Sequence, residues 1–388
     1  MQIHQINLQR HFGGGEVYTG FFCQALDRLG IPTRLLIHPH AEFWDRLNLP
    51  ASTLLVPVQN IDQLDAYLAP EMSWVLGHGP LPQALIKHIH GQGGIATAIA
   101  HMPVQGRRPE AFRNHDMVFA VSEWVLAGLR KNGITAWPEP LYGVANLLRS
   151  CTQNQIRRTS HYDWDLRKGR DRLLSWIEPL IDPLRRHPTY EKPNGLTLGI
   201  VSRITPINQF PLLFQYIAPI LAQYPDIYID IFGSGGYGSV RDLTKAIAPI
   251  HNRVRFWGQQ TNMTSVYQNI DYLLTGLPEK EALGLNIIEA QYCGTPVLAP
   301  KAPPFTETVI NDVSGFLYRD PREDNGADFA RMLDRLCALP HPPDPRIAED
   351  HLAKFSFDSF VSRISPLTHW ASDRHTIGRP PLSVSNTL

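Results

Sequence analysis

Nowhere in the 388 residues is there an uninterrupted apolar run approaching the roughly 18 that a membrane-spanning helix needs, so no segment reads as transmembrane. The stretch from Met1 to Gly15 lacks the basic segment and apolar core of a secretion signal. Cysteine is scarce. Cys23, Cys151, Cys293 and Cys337 lie far apart and form no CxxC or Cys/His metal spacing. They read as buried free thiols of a reducing, cytoplasmic compartment. An excess of one charge is also missing: 36 Lys and Arg stand against 36 Asp and Glu. No overall field exists to draw nucleic acid or an anionic membrane.

What is present is a globular composition, 43% hydrophobic and 19% charged, in a chain long enough for two cores. Short apolar runs alternate with amphipathic stretches in the first half. Ile3–Leu8 reads as a strand, Gly13–Gly15 as a turn, and Val17–Leu29 as a helix with Phe21, Phe22, Leu26 and Leu29 on one face. Further strands are expected at Arg34–Ile37, Leu54–Val58, Trp74–Leu76, Ala96–Ala100, Met117–Val121 and Thr135–Trp137, with helices at Leu81–Ile89 and Glu123–Lys131. Such alternation implies a parallel sheet covered on both faces, with ligands gathering at the carboxyl ends of the strands. Gly13–Gly15, His78, His101 and Ser122 all fall there.

Between 147 and 195 the periodicity changes, and Arg157–Arg172 carries six basic and three acidic residues around Tyr162 and Trp164. This is expected to be a linking or inserted element, with a short helix over Leu173–Leu184. It serves either as a solvated face or as a hold for an anionic or carbohydrate acceptor. A second alternation follows: strands at Thr197–Ser202, Ile227–Phe232, Val254–Trp257, Tyr272–Leu274 and Val297–Ala299, helices at Phe210–Gln223 and Val240–Ile247, and a Gly233–Gly238 loop. The expected division is 1–146, 147–195, 196–350, and 351–388 with a helix near Phe357–Ile364 and a loose tail.

The most informative stretch is Pro278 to Ala299. Glu281 precedes a small-residue turn at Ala282 and Gly284, Leu285–Tyr292 reads as a helix ended by Gly294, and a buried strand follows. Backbone amides at the head of that helix are suited to a diphosphate, with Gly284 permitting close approach. Glu289, further along, is placed to accept two hydrogen bonds from a ribose diol, and Glu281 to hold sugar hydroxyls.

These residues resemble the retaining glycosyltransferases of the GT-B fold, family-four type, with their Glu-x7-Glu motif. The likeness extends over Gly294–Ala299, Pro303–Val309 and Asn311–Leu317, and more weakly over most of the chain outside 147–195 and the tail. It implies two doubly wound Rossmann-like domains facing each other across a cleft. It also implies a nucleoside-diphosphate sugar (UDP- or GDP-sugar) as donor, and an acceptor that is carbohydrate, lipid-linked, small-molecule or protein. In the family an arginine and a lysine five residues later neutralise the donor diphosphate. Arg203 matches the first, and Asn208 stands where the lysine is expected. Gly14 and Gly15 resemble the family's glycine loop. His101 resembles a histidine that approaches the donor sugar, and His78 a second, more structural one. Gly233 lies in a loop similar to the family's, and Leu285 follows Gly284 at the donor helix. Outside the resemblance, each histidine is equally a hydrogen-bonded packing residue, Ser122 a helix N-cap, and Glu16 a residue favouring a helix N-terminus.

The chemistry so implied is a front-face displacement, in which the leaving diphosphate helps take the acceptor proton and the protein supplies positioning and charge, with no metal and no covalent nucleophile. His101, Glu281 and Arg203 are the expected catalytic residues. Two rivals stand beside it: another enzyme of the same architecture, such as a nucleotide-sugar epimerase or a phosphorylase, and a catalytically silent partner subunit, which Asn208 favours.

Overall fold

The computed structural model describes residues 2–10, 12–68, 74–104, 108–145, 156–163, 169, 171–173, 176–177 and 188–377. They form two compact units. The first comprises the described parts of Met1–Val144 and Ala353–Leu388, and the second those of Ala145–Leu352. The expected linking element has its described segments within the second unit, and the carboxy-terminal helix belongs to the first. The helix expected over 173–184 falls largely outside the described residues, as do Cys151, Trp164 and Asp165.

In the first unit, strands β1 (Ile3–Asn7), β2 (Thr33–Ile37), β3 (Thr53–Pro57), β4 (Trp74–Gly77), β5 (Ile95–Ala100) and β6 (Met117–Ala120) form one sheet in the order β3-β2-β1-β4-β5-β6. Every pairing is parallel. β1 and β5 are buried along their whole length, which is why their sequences read as continuous rather than alternating apolar runs. Helix α1 (Gly14–Arg28) connects β1 to β2 and α2 (Gln83–Gly91) connects β4 to β5, while α3 (Glu123–Lys131) follows β6. The Ser122 hydroxyl accepts from the Val125 amide at 3.2 Å, capping α3. Thr135–Trp137, expected as a strand, makes only a single bridge, Val118 with Ala136. Pro138 follows at once and removes the donor a longer ladder would need.

The second unit repeats the plan. Strands β7 (Leu196–Val201), β8 (Ile227–Phe232), β9 (Val254–Gly258), β10 (Tyr272–Leu274), β11 (Val297–Pro300) and β12 (Gly315–Tyr318) lie in the order β12-β11-β10-β7-β8-β9, all parallel. Helices α4 (Phe210–Leu221), α5 (Tyr237–Ala246), α6 (Met263–Gln268), α7 (Leu285–Tyr292), α8 (Phe305–Thr308), α9 (Pro321–Asp324) and α10 (Ala327–Ala338) are among its connections. Leu198 and Ile200 of β7 pack with Phe214 and Ile217 of α4 on one face. Val201 packs with Val266, Ile287 and Phe305 on the other. The two faces are the two cores that a parallel sheet requires.

One buried charge fixes the segment entering this sheet. Asp230, wholly buried on β8, accepts from Arg255 Nε at 2.7 Å, Trp257 Nε1 at 3.0 Å and the Tyr190 hydroxyl at 2.8 Å. A buried carboxylate with this many donors holds its partners in place.

The last helix, α11 (Phe357–Ile377), is longer than the sequence pattern suggested. Leu367 and Ala371 continue its buried stripe from Ile364 past Pro366. Phe360 lies edge-on to Tyr18 and Phe22 of α1 at 5.3 and 6.2 Å. No helix among the described residues is long and apolar enough to cross a membrane. If α11 is an integral part of the first unit, Phe360→Ala should cost about 3 kcal/mol, read as a lowered urea midpoint. A cost below ~1 kcal/mol would contradict that packing.

Candidate functional site

Both sheets reverse their direction of growth once, between β1 and β4 and between β7 and β10. At such a reversal neighbouring connections leave to opposite faces, and the space beyond the strand ends is open to a ligand. The residues singled out in the sequence sort to these two places, one in each unit.

In the second unit, β7 ends at Val201 and passes into Ser202, Arg203 and a loop to Asn208, while β10 ends at Leu274 and passes into Thr275, Gly276 and Leu277. The two loops touch through their backbones. A Cβ at Gly276 would lie 2.1 Å from the Asn208 carbonyl oxygen, so no side chain fits there. Gly233 is under the same constraint on the β8 side. Its φ is +150°, and a Cβ would lie 2.1 Å from the Ser202 carbonyl oxygen. A small pocket results, lined by Ser202, Asn208, Thr275, Glu281, Asn286 and Phe305 among others. Gly276, Ser202 and Asn286 escaped the sequence reading. The Thr-Gly pair directly after a buried strand was the available signal for the first.

Glu281 stands at the mouth of the turn. Its Oε1 accepts from the amides of Ala282 at 3.0 Å and Gly284 at 3.2 Å. The Gly284 amide is therefore held by a carboxylate. The amides of Leu285 and Asn286 open α7, where no intrahelical acceptor precedes them. Gly284 itself adopts φ +81°, and a Cβ there would press to 2.7 Å from Ile287 Cδ1. Asn286 is fixed by its Nδ2 donating to the Val201 carbonyl at 3.0 Å. Burial pushes the Glu281 carboxyl above its ordinary value, and the backbone amides at Ala282, Leu283 and Gly284 oppose that shift.

One turn into α7, Glu289 accepts from the Tyr267 hydroxyl at 2.8 Å. Burial pushes its carboxyl up to about 7 despite that bond. Asn208 accepts from the Thr205 hydroxyl at 2.8 Å. Arg203 is exposed, with its guanidinium 3.9 Å from the Asp163 carboxylate. The sequence reading passed over Lys280. Its ammonium donates to the Pro206 carbonyl at 3.4 Å, and so stands on the loop that joins Arg203 to Asn208.

In the first unit, Gly14 and Gly15 form the first turn of α1. His101 follows β5 and His78 follows β4, and their facing nitrogens, Nε2 and Nδ1, are 3.1 Å apart. The Thr19 hydroxyl is 3.0 Å from the same His78 nitrogen. Burial lowers the His101 imidazole to about 4, and lowers His78 well below its ordinary value with His101 adding to the effect, so both rings are neutral at pH 7. Glu16, taken from sequence as a helix-end residue, is buried and accepts from Asn7 Nδ2 at 3.4 Å.

The raised Glu289 carboxyl has a consequence for stability. The folded state retains the proton up to about pH 7, and the unfolded chain releases it near 4.5. The contribution is therefore fully present below pH 4.5 and is lost as pH rises through 7. Wild type should lose stability relative to Glu289→Gln over that window in urea titrations. A pH-independent difference would contradict the assigned burial.

Comparisons with known proteins bear on the fold and on the sequence of the second unit. Residues 185–346 match the model of the family described as Glycosyl transferases group 1. D-inositol 3-phosphate glycosyltransferase of Stackebrandtia nassauensis is 29% identical over 180 residues, covering 42% of this chain and 39% of the relative. That of Mycobacterium leprae is 30% identical over 194 residues, covering 48% and 43%. The matched region spans about two fifths of the length of these curated relatives. Among solved structures, Anabaena HepE in complex with UDP and glucose aligns at a TM-score of 0.67 and 17% identity, over 95% of this chain and 100% of that one. Sucrose-phosphate synthase from Thermosynechococcus elongatus aligns at 0.69 and 16%, over 96% and 99%. The chain is built of two parallel-sheet Rossmann-like domains, as are these GT-B glycosyltransferases, and its second unit carries the sequence match to glycosyl transferases group 1.

Proposed function

We propose that this protein transfers a sugar from a nucleoside-diphosphate sugar, UDP- or GDP-linked, to an acceptor hydroxyl, with retention of configuration and without a metal. The observation that carries the reading is the α7 turn. Within one short element it offers helix-head amides at Leu285 and Asn286, a carboxylate at Glu281 and a second carboxylate at Glu289. The amides and the helix dipole suit a diphosphate. Glu289, once ionised, is an acceptor for a vicinal diol, and ribose supplies one. Glu281 serves the sugar hydroxyls. UDP and glucose in the HepE complex, and UDP-glucose in a second one, support a donor of this class.

A diphosphate leaving group develops charge as the glycosidic bond breaks, and cations stabilise it there. Arg203 is one. Lys280, standing on the 203–208 loop, supplies the second cation that Asn208 does not. In the first unit, the amides of the glycine turn at Gly14 and Gly15, together with His101, are that unit's own candidate contacts for a hydroxyl-bearing ligand. The buried free thiols Cys23 and Cys293 fit a reducing, cytoplasmic setting, although Cys337 is exposed rather than buried.

A second reading rests on Asn208 alone. With an amide in place of the expected ammonium, the chain binds a nucleotide sugar for a partner and transfers nothing. Calorimetric titration with a panel of nucleoside diphosphates and their sugars tests the donor site in either case. One nucleotide should bind, and Glu289→Ala should weaken it by about 2 kcal/mol, roughly thirtyfold in Kd. Lys280→Ala should weaken it by a smaller factor that shrinks with added salt. No binding by any member of the panel contradicts the proposal. Binding without sugar transfer to any acceptor selects the second reading.

A further inference from the structure

Residues 156–163 come from the element that links the two alternations of the chain, and the reaction outlined above makes no use of them. They belong to the second unit, and their backbone fastens them across the ends of β9 and β8. The Arg157 amide donates to Gln260 Oε1 at 3.3 Å, and Gln260 Nε2 returns a bond to the Arg157 carbonyl at 2.8 Å. The Thr159 amide donates to the Trp257 carbonyl at 2.9 Å, and its hydroxyl to the Gln259 carbonyl at 3.0 Å. Gly258, with φ +70°, permits that approach, since a Cβ there would lie 2.3 Å from the Thr159 hydroxyl oxygen.

Two residues further on, the segment joins the loop that follows β8. The Gly235 amide donates to the His161 carbonyl at 3.0 Å, and the Asp163 amide donates to the Gly235 carbonyl at 2.8 Å. Gly235 thus turns both of its backbone groups toward residues 161–163. Ser234, its neighbour, turns its carbonyl the other way, to the Ile204 amide at 2.9 Å. The loop after β8 therefore lies between two backbones, one carrying Asp163 and the other carrying Arg203. The side chains meet there, guanidinium to carboxylate at 3.9 Å. Among the described residues no other cation pairs with Asp163. With the two side chains 47% and 44% exposed, the pair contributes little to folding. Its consequence is for what else Arg203 can hold.

We propose that Asp163 is a charge gate on the donor site: it holds Arg203 while the site is empty, and an arriving diphosphate must take the guanidinium from it. This rests on the reading of Arg203 as a diphosphate ligand. Asp163 is tied at its backbone to Gly235, and Arg203 stands one residue from the Ile204 amide bound on the other side of that loop. The exchange of partners therefore needs only side-chain rotation, with both backbones left in place. While Asp163 holds it, Arg203 offers little net charge to a stray anion such as inorganic phosphate. The linking element, which supplies none of the other donor contacts, thereby sets how tightly the donor is held.

Titration of the full-length protein with UDP and with GDP tests the gate. For whichever binds, Asp163→Asn should lower Kd by roughly threefold at low salt, and the gain should shrink as salt is added. Asparagine keeps the backbone bond to Gly235, so the urea midpoint should not move. In an Arg203→Gln background, followed by NMR to millimolar ligand, Asp163→Asn should recover little or nothing. Tightening of the same size in that background would mean a general repulsion of anions by Asp163, and overturns the gate. A nucleotide that binds wild type and Asp163→Asn equally, or the variant more weakly, also overturns the gate and leaves the donor-site reading standing. Binding of neither nucleotide to either protein defeats the donor-site reading, and the gate falls with it.

Discussion

Where the second sheet reverses between β7 and β10, two loops leave adjacent strand ends and must pass each other at backbone contact distance. The site depends on that approach. Gly276 against Asn208 and Gly233 against Ser202 leave no room for a Cβ, and the β7 loop is thereby pressed onto its neighbours on both sides. Asn286 completes the closure by donating to the last carbonyl of β7. The head of α7 is thus held against the end of β7, and its free amides, Glu281 and Glu289 take up fixed positions relative to Ser202 and Asn208. Preorganisation of this kind lets a site bind charge without reordering when the charge arrives.

Burial then sets the electrostatics. The two carboxylates at the α7 turn are both pushed upward, and the two histidines of the first unit are both pushed downward. Each group is thereby moved toward its neutral form. A cation or a hydroxyl-rich ligand arriving at Glu281 and Glu289 reverses that tendency for the carboxylates. The histidines act as neutral hydrogen-bonding groups. Arg203 and Lys280 are exposed and are the side chains suited to a phosphate.

Much of this was legible in the sequence because it is written locally. Continuous apolar runs such as Ile95–Ala100 announce strands buried on both faces, and Leu285–Tyr292 reads as a helix from its flanking glycines. The Glu281–Glu289 spacing is local too. What escaped was written across the chain. Nothing near position 276 says that Asn208 lies above it, and nothing near Glu289 names Tyr267 as its partner. His78 and His101 were each visible as a histidine ending a strand, but their contact exists only once β4 and β5 are paired. The length of α11 was masked by Pro366, although its buried stripe runs on through Leu367 and Ala371. That Glu281 folds back onto the Gly284 amide, three residues later, is local, but no residue type in the turn announces it.

The most direct test of the account is a crystal structure of the protein with UDP or GDP, whichever binds. The diphosphate should lie at the head of α7, within hydrogen-bond distance of the Leu285 or Asn286 amide, with the ribose diol on Glu289 and Arg203 turned toward the phosphates. A nucleotide bound elsewhere, or one at α7 whose ribose leaves Glu289 on Tyr267 untouched, would contradict it.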